Sequence, residues 1–175
     1  MRKNFGVKSW FYPHPVLIIA TYDENGNPDA MNAAWGGLYD GNKVELCLSA
    51  GHKTTKNIRA TGAFTVSFAD AANLVASDYV GLASANTEPK KMEKSGFHLT
   101  KSQFVNAPLI DELPVAMECK LVKINEDGNV IGEIVNVSAD ESVLGEDGNI
   151  DFSKFRPISF EPAHNGYHVL GQRVG

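Results

Sequence analysis

Val115-Ala116-Met117-Glu118-Cys119-Lys120-Leu121-Val122-Lys123-Ile124 alternates apolar and polar side chains. Glu126-Asp127-Gly128-Asn129 follows, and Val130-Ile131-Gly132-Glu133-Ile134-Val135-Asn136-Val137 brings the chain back. Period-two alternation on both sides of a turn that tolerates positive φ predicts a β-hairpin. Working outward, Ala63-Phe64-Thr65-Val66-Ser67-Phe68 puts Phe64, Val66 and Phe68 on one face of another strand. Val16 to Tyr22 is a short, β-branched apolar run, read as a buried strand. The Asp23–Asn27 turn sends it back through Asp29–Trp35, a stretch rich in small residues that Gly36-Gly37 is expected to end. Asp40-Gly41-Asn42 makes a further turn into a strand over Lys43–Ser49, and Phe155–Phe160 is the last strand, with an irregular tail at 165–171. Residues 71–84 read as a helix, and 88–95 as one or two helical turns from Pro89. About seven short strands and few short helices predict a mainly β chain folded as a closed or nearly closed antiparallel barrel.

The length, 175 residues, fits one domain over 1–175. With 43% hydrophobic and 21% charged residues, the chain can bury a core without staples. A net charge of −5 opposes nucleic-acid binding by the surface as a whole. An OB-like barrel holding a single strand through Lys53, Lys56 and Arg59 would need denser basic clustering than this. No apolar run approaches the roughly 20 residues of a membrane span, and the N-terminus lacks a signal core, so a cytoplasmic protein with no membrane partner is expected. Cys47 and Cys119 lie in apolar alternation with no metal-type spacing, and both read as small buried hydrophobes.

The chemistry concentrates in Leu48–Gly62, Leu-Ser-Ala-Gly-His-Lys-Thr-Thr-Lys-Asn-Ile-Arg-Ala-Thr-Gly. A strand ends in the small-residue bend Ser49-Ala50-Gly51, and a helix begins with Lys53 and Lys56 around Thr54 and Thr55, with Gly62 placed as its C-cap. Helix starts carry free N–H groups and partial positive charge, so they attract anions; two cations and two hydroxyls suit a phosphomonoester. The plainer alternative is that Thr54 or Thr55 caps the helix. Gly51-His52-Lys53-Thr54 lacks the glycine spacing of a phosphate-binding P-loop, no Gly-x-Gly-x-x-Gly or nucleophile elbow is present, and no carboxylate pair stands out for acid–base work. His164 and His168 stand four apart with Gly166 between them and no evident third ligand, so no metal is expected. A phosphate site beside Ala33-Ala34-Trp35, where a flat ring could lie, describes a mononucleotide cofactor; Trp35 as plain core is the alternative.

Taken in order, Pro13-x-Pro15-Val16-Leu17-Ile18, Asp23-Glu24-Asn25-Gly26, Met31-Asn32-Ala33-Ala34-Trp35, Lys53-Thr54-Thr55-Lys56-Asn57-Ile58, Thr61-Gly62-Ala63-Phe64-Thr65-Val66, Glu118-Cys119 and Gly132-Glu133 resemble the flavin reductase family. More narrowly they resemble the flavoredoxin branch of the FMN-binding split barrels. The resemblance implies a six-stranded antiparallel Greek-key split barrel with a few short peripheral helices, one FMN per subunit, and a homodimer with the flavin near the subunit interface. It implies that Asn32, Ala33, Ala34 and Trp35 face the ring edge, and that Ser49 and Ala50 contact the flavin. By the same resemblance His52, Lys53, Thr54 and Thr55 bind the phosphate, and Lys90 or Lys91 approaches the cofactor. Many relatives carry a histidine in the turn before Gly-Glu, where this chain reads Asp127-Gly128-Asn129-Val130.

Two expectations follow from the resemblance. One is an FMN-dependent oxidoreductase that takes electrons from NAD(P)H or a reduced protein donor and passes them to a flavin, metal complex or protein. The other is a non-catalytic FMN-binding electron carrier on the same fold. Neither requires a catalytic side chain, because the redox chemistry belongs to the cofactor.

Overall fold

The computed structural model describes residues 1–175. The strands are β1 (His14–Pro15), β2 (Leu17–Tyr22), β3 (Pro28–Ala33), β4 (Gly36–Asp40), β5 (Lys43–Leu46), β6 (Ala63–Phe68), β7 (Leu99–Lys101), β8 (Pro108–Ile110), β9 (Val115–Ile124), β10 (Val130–Ala139), β11 (Ile158–Glu161) and β12 (Gly166–Val169). The helices are α1 (Lys53–Thr61), α2 (Leu74–Leu82) and α3 (Lys91–Ser95), with one 3-10 turn at Glu141–Val143. No helix is long and apolar enough to cross a membrane.

One antiparallel sheet in the order β3-β2-β6-β9-β10-β5-β4 forms the body of the molecule. Its two edge strands are consecutive in sequence, and this closes the fold. β3 pairs with β2, Ala33 opposite Leu17; three residues later β4 pairs with β5, Gly36 opposite Leu46. The chain from 28 to 40 is therefore one strand bent at Ala34-Trp35, which carries it from one edge of the curled sheet to the other. Counted that way, the seven segments are the six strands of a split barrel. Gly36 makes the crossing possible: a Cβ there would sit 2.8 Å from Leu46 Cδ2 and 3.1 Å from Leu17 Cδ1. Register shifts in the β9–β10 ladder, at Ile131/Gly132 and Ile134/Asn136, lie where the sheet must bend.

Two cores flank β2, which explains its unbroken apolar run. Leu17 and Ile19 point into the barrel with Leu46, Phe64, Val66, Cys119 and Val130, and Ile58 of α1 closes one end. Val16, Ile18 and Ala20 point outward, under Val80 of α2, Met92 of α3 and Ile110 of β8. A strand buried on both faces reads as continuous rather than alternating hydrophobicity.

Three expectations change. Gly36-Gly37 does not end the strand, because a glycine is what lets it pass between β2 and β5. The tail is not wholly irregular: Gly166–Val169 pairs with β11, which pairs with β1 in a separate three-stranded sheet. Cys47 is exposed, whereas Cys119 is buried in the barrel, which pushes its thiol up to about 12.

Candidate functional site

α1 begins with its donors free. The N-cap residue is His52, whose side chain makes no cap hydrogen bond, and the first turn holds no acidic residue. The amide of His52 donates to Ser49 O, but those of Lys53, Thr54 and Thr55 meet no acceptor in the chain. Neither threonine caps the helix; both lie inside its first turn and are buried. Thr55 Oγ1 is buried with no hydrogen-bond partner. The other end is finished in the ordinary way, with Gly62 in the left-handed region (φ 70°) and its amide on Ile58 O.

The other polar groups of this turn are tethered. Thr54 Oγ1 donates to Asp29 Oδ2 at 2.5 Å. Lys91 Nζ, the first residue of α3, donates to Asp29 Oδ1 at 3.2 Å, and its side chain is only 3% exposed. Asn57 Nδ2 donates to Thr21 Oγ1 across the barrel end. Lys53 Nζ reaches Asp23 Oδ2 at 3.2 Å, at the tip of the β2–β3 hairpin. The Asn27 amide holds the Asp23 carboxyl down at about 2, assisted by the Asn27 side chain, the Asn25 amide and Lys53. Asn86, in the segment between α2 and α3, donates to Gly51 O at 3.1 Å and accepts from Lys56 Nζ at 3.0 Å. Ser49, Ala50 and His52 are exposed around the helix mouth.

The second part of the site lies at the strand bend. Ala33 and Ala34 are half-buried, and Trp35 is 58% exposed, so Trp35 is not a core residue. It borders a cleft of about 540 Å³ shared with Trp10, Phe11, His14, Leu38 and Cys47. The amide of Cys47 donates to Trp35 O at 2.8 Å, tying the bend to the strand that leads into α1. Six residues separate Cys47 from Lys53, so at most roughly 20 Å of chain joins cleft and helix start. Asn32 does not offer its amide to the cleft: Nδ2 donates to Ser77 O, and Gly81 of α2 packs on its Cβ.

The structure thus gathers Ser49, Ala50, His52, Lys53, Thr54 and Thr55 at the helix mouth and Ala34 and Trp35 at the cleft. It separates the two candidate lysines. Lys90 is 70% exposed beside Glu93, while Lys91 is buried and bonded to Asp29. Sequence reasoning missed Asp29, Asp23 and Asn86. For Asp29 a signal existed, since it shares a strand face with Met31 and Ala33, both packed against the barrel core. A charged residue on an inward face must find a partner.

A phosphomonoester fits this turn. Three free amides, an orphaned hydroxyl and the positive helix end form an anion cradle, and the aromatic cleft nearby offers room for a ring. No group of three or more His, Cys, Asp or Glu side chains stands close enough to hold a metal ion.

Comparison with known proteins gives the family and the fold. The flavin reductase like domain matches residues 9–159. Flavoredoxin of Desulfovibrio vulgaris (Miyazaki F) superposes with a TM-score of 0.95 at 33% identity, covering 100% of this chain and 96% of that one. Flavoredoxin from Methanosarcina acetivorans gives 0.87 at 24% identity, with 99% and 95% covered. An FMN-binding domain of a flavin reductase-like enzyme from Shewanella baltica gives 0.82 at 21%, with 93% and 88% covered; these last two show the fold. The chain belongs to the flavin reductase-like family, and its architecture is the split barrel of flavin-binding proteins.

Proposed function

We propose that this chain is an FMN-dependent oxidoreductase of the flavoredoxin type, taking electrons from NAD(P)H or a reduced protein donor. The carrying observation is the open start of α1, where Lys53, Thr54 and Thr55 present unpaired amides beside an unpaired buried hydroxyl. These amides, with His52 and Lys53 at the mouth, would hold the phosphate. Trp35 and the backbone of Ala33-Ala34 would face the ring, and Ser49-Ala50 would line the path between. Bound FMN would supply the redox chemistry, accepting and passing on electrons. The chain's own work is to bind, orient and shield it.

The exposed side chains of Trp10, Phe11, Trp35 and Leu38 line the cleft. Monomers rarely leave a contiguous apolar patch of this kind in water. A homodimer that covers this face and closes the cleft is part of the proposal, and light scattering at micromolar concentration should return twice the chain mass.

Purified protein should be yellow, bleach on reduction and release FMN on denaturation; a colourless protein that takes up no added FMN refutes the reading. A second reading, a non-catalytic FMN electron carrier, is favoured by the absence of a histidine at Asp127–Val130. Steady-state NAD(P)H oxidation with free flavin decides between them: turnover selects the reductase, and retained FMN without turnover selects the carrier.

A further inference from the structure

Asp29 is the one charged acceptor inside the wall of the anion cradle. It is 2% exposed, and both its oxygens are used: Thr54 Oγ1 on Oδ2 and Lys91 Nζ on Oδ1. Three elements meet there, β3 through Asp29, the first turn of α1 through Thr54, and the start of α3 through Lys91. A buried ion pair gives up the solvation of both ions and stabilises a fold little more than apolar packing would. What it can supply is position. On the outer side of the same turn, Asn86 fastens Gly51 and Lys56 to the segment leading into α3. The helix mouth is therefore pinned from within by Asp29 and from outside by Asn86.

We propose that Asp29 is a positioning residue for the anion site, and that Lys91 acts on that site as the counter-ion of Asp29 rather than by touching the ligand. Asp29 anchors the Thr54 hydroxyl and so sets the direction of the free amides of Lys53, Thr54 and Thr55. Its negative charge, so close to a bound phosphate, would repel it; Lys91 cancels that charge in place. This rests on the reading of the helix mouth as a phosphate site, and it reassigns one of the two lysines that the family resemblance brings toward the cofactor. The Lys91 side chain is 3% exposed, and its ammonium donates to Asp29 in place of facing open solvent.

The test compares FMN with riboflavin, which lacks only the phosphate. Wild type should bind FMN at least tenfold more tightly. Lys91→Met leaves an uncompensated carboxylate beside the phosphate, so the FMN preference should fall at least tenfold with riboflavin affinity unchanged. Adding Asp29→Asn should restore the preference to within threefold of wild type, because the charge is gone and an amide oxygen still accepts from Thr54. Thr54→Val, which unhooks the turn and leaves its backbone intact, should lose the preference. A double variant as poor as Lys91→Met means that Lys91 touches the phosphate, and overturns the proposal. So does a Thr54→Val protein with wild-type preference. If Lys91→Met does not fold, the double variant and Thr54→Val decide alone. If wild type binds neither flavin, the functional reading fails, and melting in inorganic phosphate against chloride at equal ionic strength decides this one. Phosphate should then raise the melting temperature of wild type and the double variant but not of Thr54→Val; an equal rise in all three, or none in wild type, overturns it.

Discussion

The helix mouth and the aromatic cleft are at most roughly 20 Å of chain apart and are built on opposite principles. At the mouth the lysines close to the first turn are tethered, Lys53 to Asp23, Lys56 to Asn86 and Lys91 to Asp29, and three backbone amides and the buried Thr55 hydroxyl are without partners. At the cleft, the strand bend at Ala34-Trp35 leaves large apolar side chains uncovered. The mouth is pinned by hydrogen bonds and ion pairs, whereas the cleft has an exposed aromatic wall. A site for a small anion needs rigid donors, which hydrogen bonds and ion pairs provide. An aromatic face needs only flatness and water exclusion, which a second surface can complete. The phosphate affinity should therefore be a property of the single chain, and the environment of the ring a property of whatever covers Trp35.

The largest effect that can break this contrast is at the mouth. Lys91→Met strands the buried Asp29 carboxylate and should cost about 3–5 kcal/mol of stability, read by urea denaturation. At the cleft, Gly36→Val forces side chain into Leu46 and Leu17 where the strand crosses between sheet edges. About 1–3 kcal/mol is expected, again by urea melts, with loss of the cleft's shape. Acid should separate the regions next. Asp23 is held at about 2, below its ordinary 3.8, so it stabilises the fold fully above about pH 4. That contribution is lost as pH falls from about 4 to about 2. Melting temperatures of Asp23→Asn should be flatter than those of wild type through that window and should converge with them below it. Trp35→Ala should change monomer stability by only about 0.5 kcal/mol, as exposed positions do. It should nonetheless weaken flavin binding and shift light scattering toward the single chain. Smallest of all, Lys90→Ala should move stability by less than about 0.5 kcal/mol, its contact with Glu93 being solvated.

The strands that alternate or run apolar were legible because their period follows from which face is buried: 16–22, 63–68 and the 115–137 hairpin all form where the residues predict them. The ends of α1 were legible too, from the small-residue bend and Gly62. The continuation of β3 into β4 was not. Gly36-Gly37 signals a break to local reading, and only the approach of Leu17 and Leu46 from two different strands makes a glycine necessary for a strand to pass. β12 was hidden for a related reason, since its partner β11 supplies the ladder that its own residues do not advertise. The candidate site divides the same way. Lys53, Thr54 and Thr55 stood out by composition, but the choice between Lys90 and Lys91 depended on an acceptor 62 residues away.

By itself, then, the sequence determined a mainly β chain, an anion-attracting helix start after the bend Ser49-Ala50-Gly51, and a family resemblance spread along most of its length. Those are consequences of local periodicity and of backbone groups that a helix start always leaves open. Only the tertiary structure decided that Thr54 and Lys91 spend their polar groups on Asp29, that Thr55 keeps its hydroxyl unpaired, and that Trp35 faces outward. Pairing and exposure are set by what the fold brings within hydrogen-bond distance, and no local stretch carries that information.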